Sequence, residues 1–148
     1  MESKITLLGE RYDIINVCNT LFIKTDERDW DEVKNCFADK VLFDMTSMTG
    51  GDPVETTPVQ IANQWNEGLK DLKGIHHQIS NIILEIKNLE SDFFCYGIAI
   101  HYLPNKSNRN TRTYIGSYNI HLVKTYKGWK IDRFKFNLKF IDGNAELK

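Results

Sequence analysis

An α+β fold is predicted, with three N-terminal helices packed on a strongly curved antiparallel sheet around a cone-shaped pocket. Three observations predict it. Apolar residues recur at steps of three and four through the first half of the chain. From Gly74 onward, long runs rich in β-branched and aromatic residues alternate with short turns. Gly97 and Gly116 lie inside those runs, where a strand can bend or bulge. The 148 residues match one domain, spanning 1–148. A chain of this size buries about two thirds of its unfolded surface, enough for a core without metals or disulfides.

The elements follow in order. Residues 5–25 place Leu8, Tyr12, Ile15, Cys18 or Asn19, and Phe22 on one helical stripe. Asp29-Trp30-Asp31-Glu32 has the spacing of a capping box, so a short second helix is expected, with Trp30, Val33 and Phe37 inward. A short strand follows at 41–44, and Gly50, Gly51 and Pro53 mark 45–56 as a loop. Thr57-Pro58-Val59-Gln60 combines a cap, a proline at the first helical position and a glutamine at the third. It starts a third helix to about Leu69, with Ile61, Trp65 and Leu69 inward. Strands are then expected over 75–87, 93–103, 111–124 and 129–140, joined by turns at 88–92, 105–110 and 126–128. Consecutive strands with short connections make an antiparallel meander, and the helices must cover one of its faces. Such a sheet twists, and the hollow beneath its helical cover suits a small molecule.

Composition narrows the function. The formal net charge is −1, from 19 basic and 20 acidic residues, which leaves no basic stripe for nucleic acid. The one local excess, Lys106 to Arg112, reads as a solvated loop. Cys18, Cys36 and Cys95 are odd in number and embedded in apolar stretches, as expected of free buried thiols in a reducing, cytoplasmic compartment. No ligand spacing for zinc, no P-loop lysine after Gly50-Gly51, no leader-like apolar run and no membrane-length apolar segment is found. No metal, cofactor, nucleic acid or membrane partner is expected.

Several fragments carry a family resemblance. These are 25–31 with Phe37-Ala38-Asp39, then His76-His77-Gln78-Ile79-Ser80-Asn81, Gly116-Ser117-Tyr118 and Lys127-Gly128-Trp129-Lys130-Ile131. Their order and spacing over roughly residues 8–138 resemble the SnoaL-like branch of the nuclear-transport-factor-2-like (cystatin-like) superfamily, which includes polyketide cyclase-like proteins and scytalone dehydratases. By that resemblance Asp26 and His77 are the catalytic acid–base pair. Ser117 and Asn119, read as sharing one strand face, orient substrate. Asn105 stands where the dehydratase has a second histidine, a role that His101 could take. Thr25 and Met45 replace two water-holding tyrosines, so scytalone itself is not the expected substrate. Met45, Trp65 and Tyr114 are expected to line the pocket, with Trp30, Phe43 and Phe93 as further candidates that also suit a plain core.

The chemistry of the pair can be stated independently. An imidazole titrates near pH ~6.5, so its neutral form is an acceptor of protons at neutral pH. A carboxylate on one ring nitrogen fixes the tautomer and leaves the other nitrogen to react. A proton alpha to a carbonyl can then be removed, with Ser117, Asn119 or Tyr118 bonding the enolate oxygen. His76 should face away from His77, because side chains alternate along a strand. His101 and His121 read as structural or interfacial. The expectation is a small-molecule-binding protein that acts as a cofactor-free lyase or isomerase. A non-catalytic ligand-binding or scaffold module of the same fold is the alternative. A homodimer through the outer sheet face is expected by analogy, with Tyr118, Ile120 or Phe134 as contact residues.

Overall fold

The structure is a computed structural model describing residues 3–148; Met1 and Glu2 of the expected 1–148 unit lie outside the described residues. The elements are α1 (Lys4–Asp26), α2 (Trp30–Asn35), β1 (Phe37–Asp44), α3 (Thr46–Thr49), β2 (Val54–Thr56), α4 (Pro58–Leu69), β3 (Gly74–Lys87), β4 (Glu90–Tyr102), β5 (Thr111–Thr125) and β6 (Gly128–Gly143). The helices cover one face of a six-stranded sheet of order β2-β1-β6-β5-β4-β3. All pairings are antiparallel except β1 with β6. The α+β architecture is as the sequence predicts. The loop expected at 45–56 instead holds the single turn of α3 and the short edge strand β2.

The local signals act as their chemistry requires. Thr57 and Gln60 form a reciprocal capping box with Pro58 at the helix start. The Asp29 carboxylate accepts the Glu32 amide at 3.3 Å and so caps α2. Between α1 and α2 the chain reverses at Arg28 with φ of 58°. The Arg28 side chain donates to the carbonyls of Leu69 and Leu72, tying this turn to the far end of α4. The buried stripe of α1 is Ile14, Cys18, Leu21, Phe22 and Thr25. Leu8 and Tyr12, expected on it, are exposed because the sheet-facing positions of the early turns are Glu10, which accepts from Trp129 Nε1, and Arg11, which donates to the Leu84 carbonyl. Phe37 is inward as expected, but from β1 and not from α2.

The register is irregular between Phe37 and Leu42 where β1 meets β6, and curvature comes from three further irregularities between antiparallel strands. One lies between Ser80 and Ile83, where Asn81 takes φ of 56°. The others lie between Ile115 and Gly116 and between His121 and Leu122, where β6 carries the extra residue. The last one switches the inward set on β6 from Trp129 and Ile131 to Phe134 and Phe136, and leaves Arg133 outward. Tyr118, Ile120 and Phe134, suggested as outer-face contacts, are therefore buried under the helices. That correction follows from strand parity: Tyr118 packs on Phe22 at 4.9 Å and on Phe134 at 5.4 Å.

Gly97 and Gly116 face each other across β4 and β5. A Cβ on Gly97 would stand 2.2 Å from the Tyr118 ring, and one on Gly116 would stand 2.2 Å from the Asn137 carbonyl oxygen. Both positions thus hold glycine for close approach, and Gly116 also flanks a bulge. Because backbone blocks Gly116, Gly116→Ala should cost about 2–4 kcal/mol in urea unfolding. Gly9→Ala on α1, with nothing near its Cβ, should instead stabilise by about 0.5–1 kcal/mol. Equal effects of the two substitutions would contradict this account of the sheet.

Candidate active site

The C-terminal residue of α1 meets the edge strand β3. Asp26 receives two hydrogen bonds from one residue. The His77 backbone N–H donates to Oδ2 at 2.8 Å, and the ring Nδ1–H donates to Oδ1 at 2.6 Å. As β3 is an edge strand, its outward amide needs a partner, and Asp26 supplies one. Both side chains are largely buried, at 18% and 13% exposure. The ring bond places a proton on Nδ1 and leaves Nε2 as the nitrogen available to a ligand. Phe22 flanks the imidazole at 5.5 Å between ring centres.

His77 opens onto a cavity of about 400 Å³ between the sheet and α1, α3 and α4, a volume typical of small-molecule sites. Its walls are mainly apolar: Phe22, Phe43, Met45, Met48, Trp65 and Phe134 among others. Phe43 stacks on Phe134 at 5.5 Å and 11°, and Trp65 meets the same ring edge-on at 5.8 Å. These rings build the wall and leave the space open. The polar groups are few. His101 and Arg112, cross-strand neighbours on β4 and β5, both reach it, as does Tyr118.

Arg112 Nη2 donates to His101 Nδ1 at 3.1 Å, since a guanidinium has only donors. His101 therefore carries its proton on Nε2. Burial, and secondarily the Arg112 charge, push its pKa down to about 4. Burial pushes the Tyr118 hydroxyl up, so it remains a neutral phenol. The cavity thus combines a bare imidazole nitrogen on His77 with neutral N–H and O–H donors on His101 and Tyr118.

The residues predicted from sequence divide sharply. Asp26 and His77 are brought together, and Met45, Trp65 and Tyr114 line the cavity with His77. His76 faces outward, bonded to Gln78. Ser117 and Asn119 do not enter the cavity. The inward residues of β5 are Arg112, Tyr114, Gly116 and Tyr118, so the intervening positions must face the other side. There Asn137 Nδ2 donates to Ser117 Oγ at 3.2 Å and to Asn119 Oδ1 at 2.8 Å, forming a polar rung. Asn105 stabilises the β4–β5 loop through Leu103, Ser107 and Arg109 and is no part of the lining. Trp30 bonds Asn66 outside the cavity, and Phe93 is core. Arg112 and Gln64 were missed: Arg112, grouped with the solvated run, lies on β5 two residues before Tyr114 and so shares its face, and Gln64 lines the cavity from α4. Met48 and Thr49 were hidden in the expected loop. Outside the cavity, His121 lies between Asp132 and Glu90. Cys18, Cys36 and Cys95 are free and buried. Among the described residues, no cluster of His, Cys, Asp and Glu could hold a metal, and no helix is long and apolar enough to cross a membrane.

A helix-covered, strongly bent sheet beside an apolar hollow is the nuclear-transport-factor-2-like (cystatin-like) fold. The SnoaL-like domain model matches residues 7–135, and the chain belongs to that family. Solved structures agree on the fold. A protein from Kribbella flavida superposes with a TM-score of 0.88 at 18% identity, covering 92% of this chain and 95% of its own. A scytalone dehydratase candidate from Novosphingobium aromaticivorans gives 0.84 at 17%, covering 97% and 93%. A type-3 hexachlorocyclohexane dehydrochlorinase from Novosphingobium barchaimii gives 0.78 at 14%, covering 98% and 97%. No curated protein sequence matches.

The histidines can be read by NMR. The His101 ring should stay neutral through pH 6 and titrate near its depressed value of about 4. The unfolded ring binds a proton near pH ~6.5, so between these values the unfolded state holds more protons. Stability should therefore fall as pH drops across that window, and His101→Gln should remove this component. A His101 titration near 6.5 would contradict the described environment.

Proposed function

We propose that the protein is a small-molecule lyase or isomerase in which His77 acts as general base, oriented by Asp26, and that residues 1–148 work as one such unit. The observation that carries this reading is the two-point grip of Asp26 on His77 at the wall of an open apolar cavity. In the proposed reaction, His77 Nε2 takes a proton from carbon alpha to a carbonyl. The electron pair moves onto the carbonyl oxygen, bonded by His101 Nε2–H or the Tyr118 hydroxyl. Asp26 stabilises the imidazolium without taking its proton. Return of the proton elsewhere gives isomerisation. Expulsion of a β-hydroxyl, which leaves as water with the His77 proton, gives dehydration. Attack within the substrate gives cyclisation. No cofactor has a role in these steps. A scytalone dehydratase candidate and a hexachlorocyclohexane dehydrochlorinase among the structural neighbours support this class, because dehydration and dehydrochlorination are both eliminations.

The reaction can be sought without knowing the substrate. In D2O, a panel of small aryl ketones and β-hydroxy ketones should show protein-dependent deuterium exchange at the alpha carbon. His77→Gln and Asp26→Asn should lower that rate about 100- to 10,000-fold while the circular dichroism spectrum is kept. Exchange unaffected by either substitution would remove the base from His77. Compounds that bind without any exchange would favour the second reading, a non-catalytic ligand-binding or scaffold module. That reading is supported by Thr25 and Met45, which leave no tyrosine hydroxyl at their positions.

We also propose a homodimer through the outer sheet face, where Tyr96, Ile98 and Tyr102 are 42%, 39% and 43% exposed on one strand. The three free buried thiols support a reducing, cytoplasmic setting. Sedimentation equilibrium should show a dimer that Ile98→Glu converts to monomer. A monomeric wild type at high concentration would end this proposal.

A further inference from the structure

Arg112 is a cation in an apolar cavity to which the protein supplies no acid. Nη2 donates to His101 at 3.1 Å, and Nη1 reaches the Ala145 carbonyl at a long 3.4 Å. The guanidinium carbon lies 5.4 Å from the centre of the Tyr114 ring. Its Nε is buried and has no hydrogen-bond partner. No ion pair joins Arg112 to an Asp or Glu among the described residues. His101 cannot balance the charge, because a bonded imidazole is at best neutral. A buried donor without an acceptor and a partly buried cation without an anion are both costly, and a ligand anion would relieve the second. Arginine's planar fork fits a carboxylate, its terminal N–H groups donating to the two carboxylate oxygens. A phosphate dianion would meet a single cation and walls of Met, Trp and Phe.

We propose that Arg112 anchors a carboxylate of the substrate, so that the substrate class is a small aryl or branched carboxylic acid whose reacting C–H is turned to His77. This rests on the cavity being the substrate site, as proposed above. Arg112 would bind and orient without exchanging protons, while the apolar remainder of the ligand lies on Trp65 and Phe134. One charged anchor and one base at separate points of the wall would fix which hydrogen is presented.

The test is equilibrium binding, measured by calorimetry with matched pairs: phenylacetate against phenylacetamide, and 2-naphthoate against 2-naphthamide. The wild type should bind each carboxylate about ten- to hundredfold more tightly than its amide. Arg112→Gln should erase the difference by weakening the carboxylate alone, its unchanged amide affinity showing that the cavity persists. The wild-type comparison decides the matter even should that variant fail to fold. Equal affinities for acid and amide in the wild type, no carboxylate binding, or a preference that survives in Arg112→Gln would each overturn the proposal. His77→Gln should keep the preference while losing exchange, so failure of the anchor and failure of the base are seen separately.

Discussion

The site depends on one short clasp, the pair of hydrogen bonds by which the last residue of α1 holds His77 on the edge of the sheet. Each is assisted by the carboxylate charge, and such bonds contribute about 1.5–3 kcal/mol in folded proteins. The two have different consequences. The bond from the backbone amide to Oδ2 joins helix to strand, and any residue at position 77 other than proline can make it. The bond from the ring to Oδ1 sets the tautomer and needs the imidazole. Position and chemistry are thus carried by separate oxygens of one side chain.

The remainder of the fold makes that clasp useful by keeping space in front of it. Three bulges bend the strands, and the paired glycines at 97 and 116 let the Tyr118 ring and the Phe136 ring lie close to the backbone. Without Cβ atoms there, the rings occupy depth that would otherwise come out of the cavity. The polar groups are graded around the opening: Arg112 charged, His101 and Tyr118 held neutral by burial, and the His77 nitrogen bare. In a wall of this low polarity each group interacts more strongly with a ligand than it would in water. A donor and an acceptor therefore face one cavity from separate side chains.

Much of this was legible in the sequence, for physical reasons that also explain the rest. Thr57-Pro58-Val59-Gln60 starts a helix because cap, proline and glutamine each satisfy or remove an orphan amide locally. His77 faces inward and His76 outward because alternation holds over the first part of β3. Ser117 and Asn119 were assigned to the pocket through likeness to a family position, yet Tyr114 on the same strand already requires the opposite parity for them. The switch on β6 could not be read: a bulge inserts a residue without a distinctive local signal, so Arg133 leaves the face that Ile131 holds. Arg112 was obscured by its basic neighbours, although its spacing to Tyr114 places it inside. The turn of α3 arises where Asp44 accepts the Thr46 amide at 3.0 Å and its hydroxyl at 2.6 Å, beside glycines that otherwise read as loop.

The central claim is that the imidazole of His77 presents an unprotonated Nε2 to the cavity because Asp26 holds the proton on Nδ1. Long-range proton–nitrogen correlation NMR on the neutral ring reports this directly. The account predicts one tautomer, with Nδ1 protonated and Nε2 bare, and an Nε2 shift that moves when a cavity ligand is added. A ring protonated on Nε2, or one averaging between tautomers, would contradict it.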